Sequence, residues 1–210
     1  ERVSRILNET LDYNHPVKAI WIQDWEGQRK TSFGSQLWWR WTVDEKAYPN
    51  LKEWTGQLRD KEVRTLGYIN SFLANEGDMF EEAKEKDYLV KNPQGEDYKV
   101  ETAGFPAYLV DLTNPEARAW LKDIIKNNML SLGFDGWMAD FGEWLPTDAQ
   151  LHSGISAKEY HNRYPVEWAK LNREAIEEAG RLGDVFFFTR AGYSYSNKHS
   201  TMFWEGDQMV

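Results

Sequence analysis

Six short apolar runs alternate with helical patterns, and five of them end in a charged residue at the carboxyl side. No Gly-rich phosphate turn follows the first run. These observations predict an α/β fold and, within it, a (β/α)8 TIM barrel rather than a doubly wound open sheet. Strands alternating with helices form parallel sheets covered on both faces, and a barrel builds its chemistry at the carboxyl ends of its strands. About six β/α units fit in the 210 residues, so residues 1–210 are expected to form one partial catalytic barrel domain.

Each element has its own signal. Val3, Ile6, Leu7 and Leu11 stand at helical spacing in residues 1–12. "VKAIWIQDW" (17–25) reads as a buried strand running into a loop, "EGQRKTSFGSQLWWRW", rich in Gly, Ser and aromatics. A helix is predicted over 44–62, a second strand over 63–72, a helix over 78–89 and a turn over 92–97. "AYLVDL" (107–112) is the third strand. The next helix has Asn114 as N-cap, Pro115 at its first position, Glu116 in the first turn and Gly133 at its end. "FDGWMADF" (134–141) is the fourth strand, and a long helix over 157–181 closes at Gly180. "DVFFFTRAG" (184–192) and "STMFWEGDQ" (200–208) complete the set.

Composition narrows the function classes. Aromatic residues make up 15% of the chain, with eleven tryptophans, which suits binding of flat, partly apolar sugar rings as well as a Trp-rich core. The net charge is −9 with dispersed basic residues, so nucleic acid has no electrostatic footprint. There is no cysteine, and the four histidines show no metal-ligand spacing. Nothing at the N-terminus reads as a signal peptide and no apolar run approaches 18 residues, so no membrane role is expected and the expected location is cytoplasmic.

"GFDGWMADFGEW" (133–144) sets Asp135, Asp140 and Glu143 among aromatics, where an unpartnered carboxylate is expensive to bury. The strand-end acids are Asp24, Asp111, Asp140 and Asp207, and another strand ends in Arg190. Two carboxylates on different strand ends are what glycoside hydrolysis needs: one for the anomeric carbon, one to protonate the leaving oxygen. Asp140 and Asp207 are the candidates. Strand alternation puts Asp135 out of phase with Asp140, so a structural place is expected for it. Glu143 either orients a neighbouring group or lies on the surface. Arg190 is expected at the pocket floor, pairing with a catalytic Asp, binding sugar hydroxyls or forming a structural salt bridge.

"GWMADFGE", "VDLTNPEARAW", "TRAG" and "FWEGDQ" resemble glycoside hydrolase family 31, the retaining α-glycosidases, over nearly the whole chain. The resemblance implies Asp140 as nucleophile, with Glu143 completing its motif, and Asp207 as acid/base in W-x-G-D. It also implies Arg190 as the arginine near the nucleophile, and Asp24 in the substrate-pocket region. "IQDWEGQRKTSFG" and "GWMADFGEWLPTDAQLHSG" look most like the sulfoquinovosidases of that family, which release a glucose bearing a C6 sulfonate. Their sugar-binding Gln is matched by Gln23 and their sulfonate-binding Trp by Trp39, but Gln36 stands where they have Arg. A neutral amide cannot replace the charge of an Arg–sulfonate pair, so either a nearby cation (Arg29, Arg40 or Lys30) takes over or the sugar carries no sulfonate. An α-glucosidase or α-galactosidase of the same family therefore stays open, as does a non-catalytic carbohydrate-binding fragment. An aldolase-type metal barrel would need a His or Lys at a strand end, and none is found. The resemblance implies a small α-glycoside as substrate, no metal or organic cofactor, and a further C-terminal part of the same catalytic domain.

Overall fold

The computed structural model describes residues 2–102 and 104–206. A first helix, α1 (Arg2–Asp12), precedes the short strand β1 (Ala19–Trp21) and a hairpin of β2 (Gln28–Thr31) and β3 (Gly34–Leu37). Then come α2 (Leu51–Asp60), β4 (Arg64–Asn70), β5 (Phe72–Ala74) and α3 (Asp78–Glu85). The middle of the chain holds β6 (Lys99–Glu101), β7 (Pro106–Leu109), α4 (Pro115–Asn128) and β8 (Gly136–Asp140). The last elements are α5 (Ala157–Tyr160), α6 (Tyr164–Glu178), β9 (Phe186–Thr189) and β10 (Met202–Phe203).

The strands β1-β4-β8-β9-β10 form one five-stranded sheet in chain order, every pair parallel. Stepwise addition of parallel strands, with helices between most of them, is how a (β/α)8 barrel winds. β8 is buried at every position, as a strand covered on both faces must be. Trp25, Phe134, Trp137 and Trp168 are fully buried in the core around it.

The expected third strand is the main correction. The segment 107–112 overlaps β7, but β7 pairs antiparallel with β5 and β6 in a separate three-stranded sheet. Its burial alternates between half-buried and buried, the mark of a one-faced strand. The parallel sheet therefore has five strands among the described residues, one fewer than expected. The bend at Ser71 turns the chain out of β4, where Asn70 Oδ1 accepts the Phe72 N–H at 2.9 Å.

Helix boundaries follow local chemistry. Asn114 Oδ1 accepts the amides of Glu116 (2.9 Å) and Ala117 (3.4 Å), and Pro115 opens α4 as expected. The helix expected over 157–181 is split into α5 and α6, with Pro165 in the first turn of α6. The helix expected over 44–62 is confined to α2. Of the expected strand over 200–208 only Met202–Phe203 pairs, and residues 207–208 lie outside the described residues. Among the described residues no helix is long and apolar enough to cross a membrane.

Candidate active site

Asp140 is the last residue of β8, with its neighbours set by sheet register. Asn70 of β4 lies directly opposite Asp140, and Tyr68 lies two residues earlier on the same face. On the other side Ala139 pairs with Thr189, which brings Arg190 alongside Asp140. Tyr68 Oη donates to Asp140 Oδ2 at 2.5 Å, and Asn70 Nδ2 donates to Tyr68 Oη at 3.2 Å.

Arg190 approaches from the opposite flank. Its Nε is 3.3 Å from Asp140 Oδ1, but the N–H of that nitrogen points to Glu143 Oε1 at 2.9 Å. Nη2 reaches the same Glu143 oxygen at 2.6 Å. Charge attraction thus links Arg190 to Asp140 while the hydrogen bonds go to Glu143, and Oδ1 accepts no hydrogen bond among the described residues.

The backbone after β8 makes this arrangement. Phe141 (φ 58°) and Gly142 (φ 115°) both take positive φ, so the chain reverses within two residues. A left-handed Phe costs on the order of 1–3 kcal/mol. Its ring recovers contacts with Trp39 (5.1 Å), Phe72 (5.6 Å) and Trp144 (5.6 Å), and the Arg190 guanidinium lies 3.8 Å above it. The reversal therefore seats the arginine and returns Glu143 to hold it.

Burial pushes the Asp140 carboxyl above its ordinary value. The Arg190 charge, the Tyr68 hydrogen bond and the Phe141 backbone amide oppose that rise, and Glu143 adds to it. The three opposing groups are what favours the ionised form in a buried position.

Asp140 opens onto a cavity of 820 Å³ that Gln23, Glu143 and Arg190 also line. Trp21 and Trp204 stand at its wall with ring centroids 6.1 Å apart, both partly exposed. His161 lines it too, its Nδ1 2.6 Å from the Leu145 carbonyl, which can only accept. Among the described residues no group of three or more His, Asp or Glu side chains is placed to hold a metal ion.

Four expected site residues meet at this cavity: Gln23, Asp140, Glu143 and Arg190. Three do not line it. Asp24 opens a tight turn, its carbonyl accepting the Gly27 amide at 2.9 Å, and its carboxylate is engaged by the Tyr48 hydroxyl and by Gln28 Nε2 at 2.9 Å. Gln36 sits in β3 opposite Arg29. Trp39 is 5% exposed, packed among Phe72, Phe105 and Phe141, one ring away from Arg190. Asp207 lies outside the described residues, directly after the Trp204–Gly206 segment. Asp111 and Asp135 are structural: Asp111 accepts the amides of Thr113 and His152, and Asp135 pairs with Arg59 at 2.7 Å.

Sequence reasoning missed Tyr68 and His161. Two polar side chains at period two in "YIN", inside an otherwise apolar strand, were the available signal for Tyr68 and Asn70.

A parallel barrel sheet with a buried, Arg-flanked aspartate at a strand end defines the class, and the chain belongs to glycoside hydrolase family 31. The model for "Glycosyl hydrolases family 31 TIM-barrel domain" matches residues 1–210. The chain is 52% identical to the sulfoquinovosidase of Escherichia coli (strain K12) and 40% identical to that of Agrobacterium fabrum. Each alignment covers 92% of this chain but 29% of the relative, so the chain spans under a third of those proteins' length. A solved family 31 sulfoquinovosidase from E. rectale, in complex with an aza-sugar inhibitor, superimposes with a TM-score of 0.93. It is 50% identical, over 97% of this chain and 31% of that one.

Proposed function

We propose that the whole protein carrying this chain is a retaining α-glycosidase that releases sulfoquinovose from small α-glycosides. The observation that carries the reaction is Asp140, set at a barrel strand end between a hydroxyl donor and a guanidinium. The sugar is argued from the two sulfoquinovosidase relatives at 52% and 40% identity.

In this reading Asp140 attacks the anomeric carbon and forms a glycosyl-enzyme. Asp207, placed by its W-x-G-D motif, protonates the departing oxygen and then deprotonates the water that hydrolyses the intermediate. The two carboxyl groups are expected about 5–5.5 Å apart. Trp21 and Trp204 flank the ring, and Gln23 and Arg190 meet its hydroxyls.

The engagement of Arg29 and Arg40 favours a second reading, a neutral-sugar α-glucosidase of the same family. The Arg29 guanidinium lies between the rings of Trp38 (4.3 Å) and Phe105 (4.2 Å) and pairs with Glu76 at 2.8 Å. Arg40 donates to the Glu26 carbonyl at 3.1 Å and stands 3.9 Å from Asp44. Both are engaged elsewhere, which leaves Lys30, exposed on β2 opposite Ser35, as the cation that would have to stand in for the arginine missing at Gln36.

Hydrolysis of paired aryl α-glycosides, sulfoquinovoside against glucoside, by the whole protein separates the two readings, with Asp140→Asn as the blank. Preference for the sulfonated sugar supports the first, and preference for glucoside keeps the mechanism but removes the sulfonate. Activity on neither, with the Asn variant indistinguishable from the parent, sinks the hydrolase reading.

A further inference from the structure

We propose that Tyr68 and Asn70 act as a positioning pair for the nucleophile, Asn70 fixing the Tyr68 hydroxyl so that its proton is given to Asp140. The inference rests on the reading of Asp140 as nucleophile and extends it to two residues on a different strand.

The geometry is directional. Asn70 Oδ1 is committed to the Phe72 amide at 2.9 Å, so the side-chain amide is held with Nδ2 toward Tyr68. Nδ2 is only a donor, and it occupies the Tyr68 oxygen from one side. The hydroxyl's own proton is then left for Asp140 Oδ2, at 2.5 Å. Tyr68 and Asn70 are 2% and 0% exposed, so water does not compete for these bonds.

Two consequences follow for Asp140. A hydrogen bond from a hydroxyl to a carboxylate favours the charged form, which a nucleophile must keep. It also fixes the carboxylate about its side-chain torsion, because Oδ2 cannot leave the Tyr68 proton without exposing a buried donor. The other charged groups facing Asp140 are Arg190, from the end of β9, and Glu143, from the turn after β8. The Glu26 carboxylate acts on Tyr68 from the loop after β1. Arg190 spends its hydrogen bonds on Glu143, so among the described side chains Tyr68 is the one that donates to the Asp140 carboxylate.

The test uses the whole protein and its preferred aryl α-glycoside, with Tyr68→Phe and Asn70→Asp. Tyr68→Phe removes one oxygen and keeps the ring. Its acidic limb of kcat/KM is expected to move up by about one pH unit, with KM changed less than twofold. Asn70→Asp keeps the acceptor for Phe72 but pulls the hydroxyl proton toward itself, and is expected to move the same limb the same way. An equal loss at every pH in Tyr68→Phe would show a merely structural role and overturn the proposal. A shift in Asn70→Asp alone would also overturn it, because the added charge then suffices. Trapping with a 5-fluoro glycosyl fluoride, followed by peptide mass analysis, keeps the two readings apart. Label on Asp140 with an unmoved limb defeats only the positioning pair, whereas label on another carboxylate defeats the assignment of the nucleophile as well.

Discussion

Glu143 Oε1 accepts both Nε and Nη2 of Arg190, at 2.9 and 2.6 Å, while the same Nε stands 3.3 Å from Asp140 Oδ1. One arginine is thus held by one acid so that its charge falls on another. Three constraints fix it: the Glu143 oxygen, the Phe141 ring beneath it, and the strand register that delivers it.

Arg190→Lys keeps the charge but loses the planar fork and the stacking on Phe141. A drop of about 10²-fold in kcat is expected from the misplaced cation. Arg190→Met removes the charge that lowers the Asp140 carboxyl, so its acidic limb of kcat/KM should rise above that of the lysine variant. pH–rate profiles of the two variants check this, and coincident limbs would show that the charge does not reach Asp140.

Asn114 caps α4 with two amide bonds. Asn114→Ala should lower unfolding stability by about 1 kcal/mol, and Asn114→Gly by only a few tenths. Urea unfolding of the whole protein measures both. Equal losses would mean that the cap bonds contribute nothing beyond the backbone preference.

The parts of the fold written in local chemistry were readable. Asn114 and Pro115 gave α4 its start, whereas Gly133, expected at its end, closes the 3-10 turn Leu130–Leu132 that follows α4. The apolar runs gave the parallel strands, with Asp140 and Arg190 at the ends of β8 and β9. Asp135 fell on the structural side because it is five residues from Asp140, hence on the opposite strand face. What pairing partners decide was not readable. "AYLVDL" has strand composition, yet joins an antiparallel sheet because Ser71 turns β5 away from β4. Asp24 reads as a strand-end acid, but β1 stops at Trp21 and a turn carries Asp24 out of the cavity lining. Tyr68 was missed for the opposite reason: beyond its period-two spacing with Asn70, a tyrosine in an apolar strand reads as core until its hydroxyl partner is known.

Glu26 gives a pH dependence of stability. Fully buried, it accepts the amides of Trp39 (3.0 Å), Arg40 (2.7 Å) and Trp41 (3.0 Å), pinning a loop in which both tryptophans have positive φ. Burial outweighs those bonds and pushes its carboxyl up from 4.5 to about 7. With the folded value above the unfolded one, the folded chain binds the extra proton. Its contribution is complete below pH 4.5 and is lost as pH rises through 7, by about 3 kcal/mol in all. Glu26→Gln has no such titration but turns an NH2 toward a backbone donor. It should melt well below the parent at pH 5, with the gap narrowing toward pH 8. A gap that stays constant over that range would remove Glu26 from the pH response.

Two glycines predict opposite signs for the same substitution. Gly136 opens β8, and a Cβ there would collide with the Phe186 carbonyl oxygen and lie 3.0 Å from Leu66 Cδ2. The carbonyl belongs to the neighbouring strand β9, so relief requires moving sheet backbone rather than a side chain. Gly136→Ala should cost about 3 kcal/mol, the upper end for overpacking a dense core. Gly56 lies inside α2, with nothing within 4 Å of the place a Cβ would take and no positive φ. Gly56→Ala should therefore stabilise by about 0.5–1 kcal/mol, through helix propensity and a less flexible unfolded chain. Urea midpoints of the two variants against the parent provide the comparison. A tolerated Gly136→Ala would mean that β8 and β9 can separate at that rung, and Asp140 and Arg190, four rungs along the same two strands, would lose the fixed register on which the site depends.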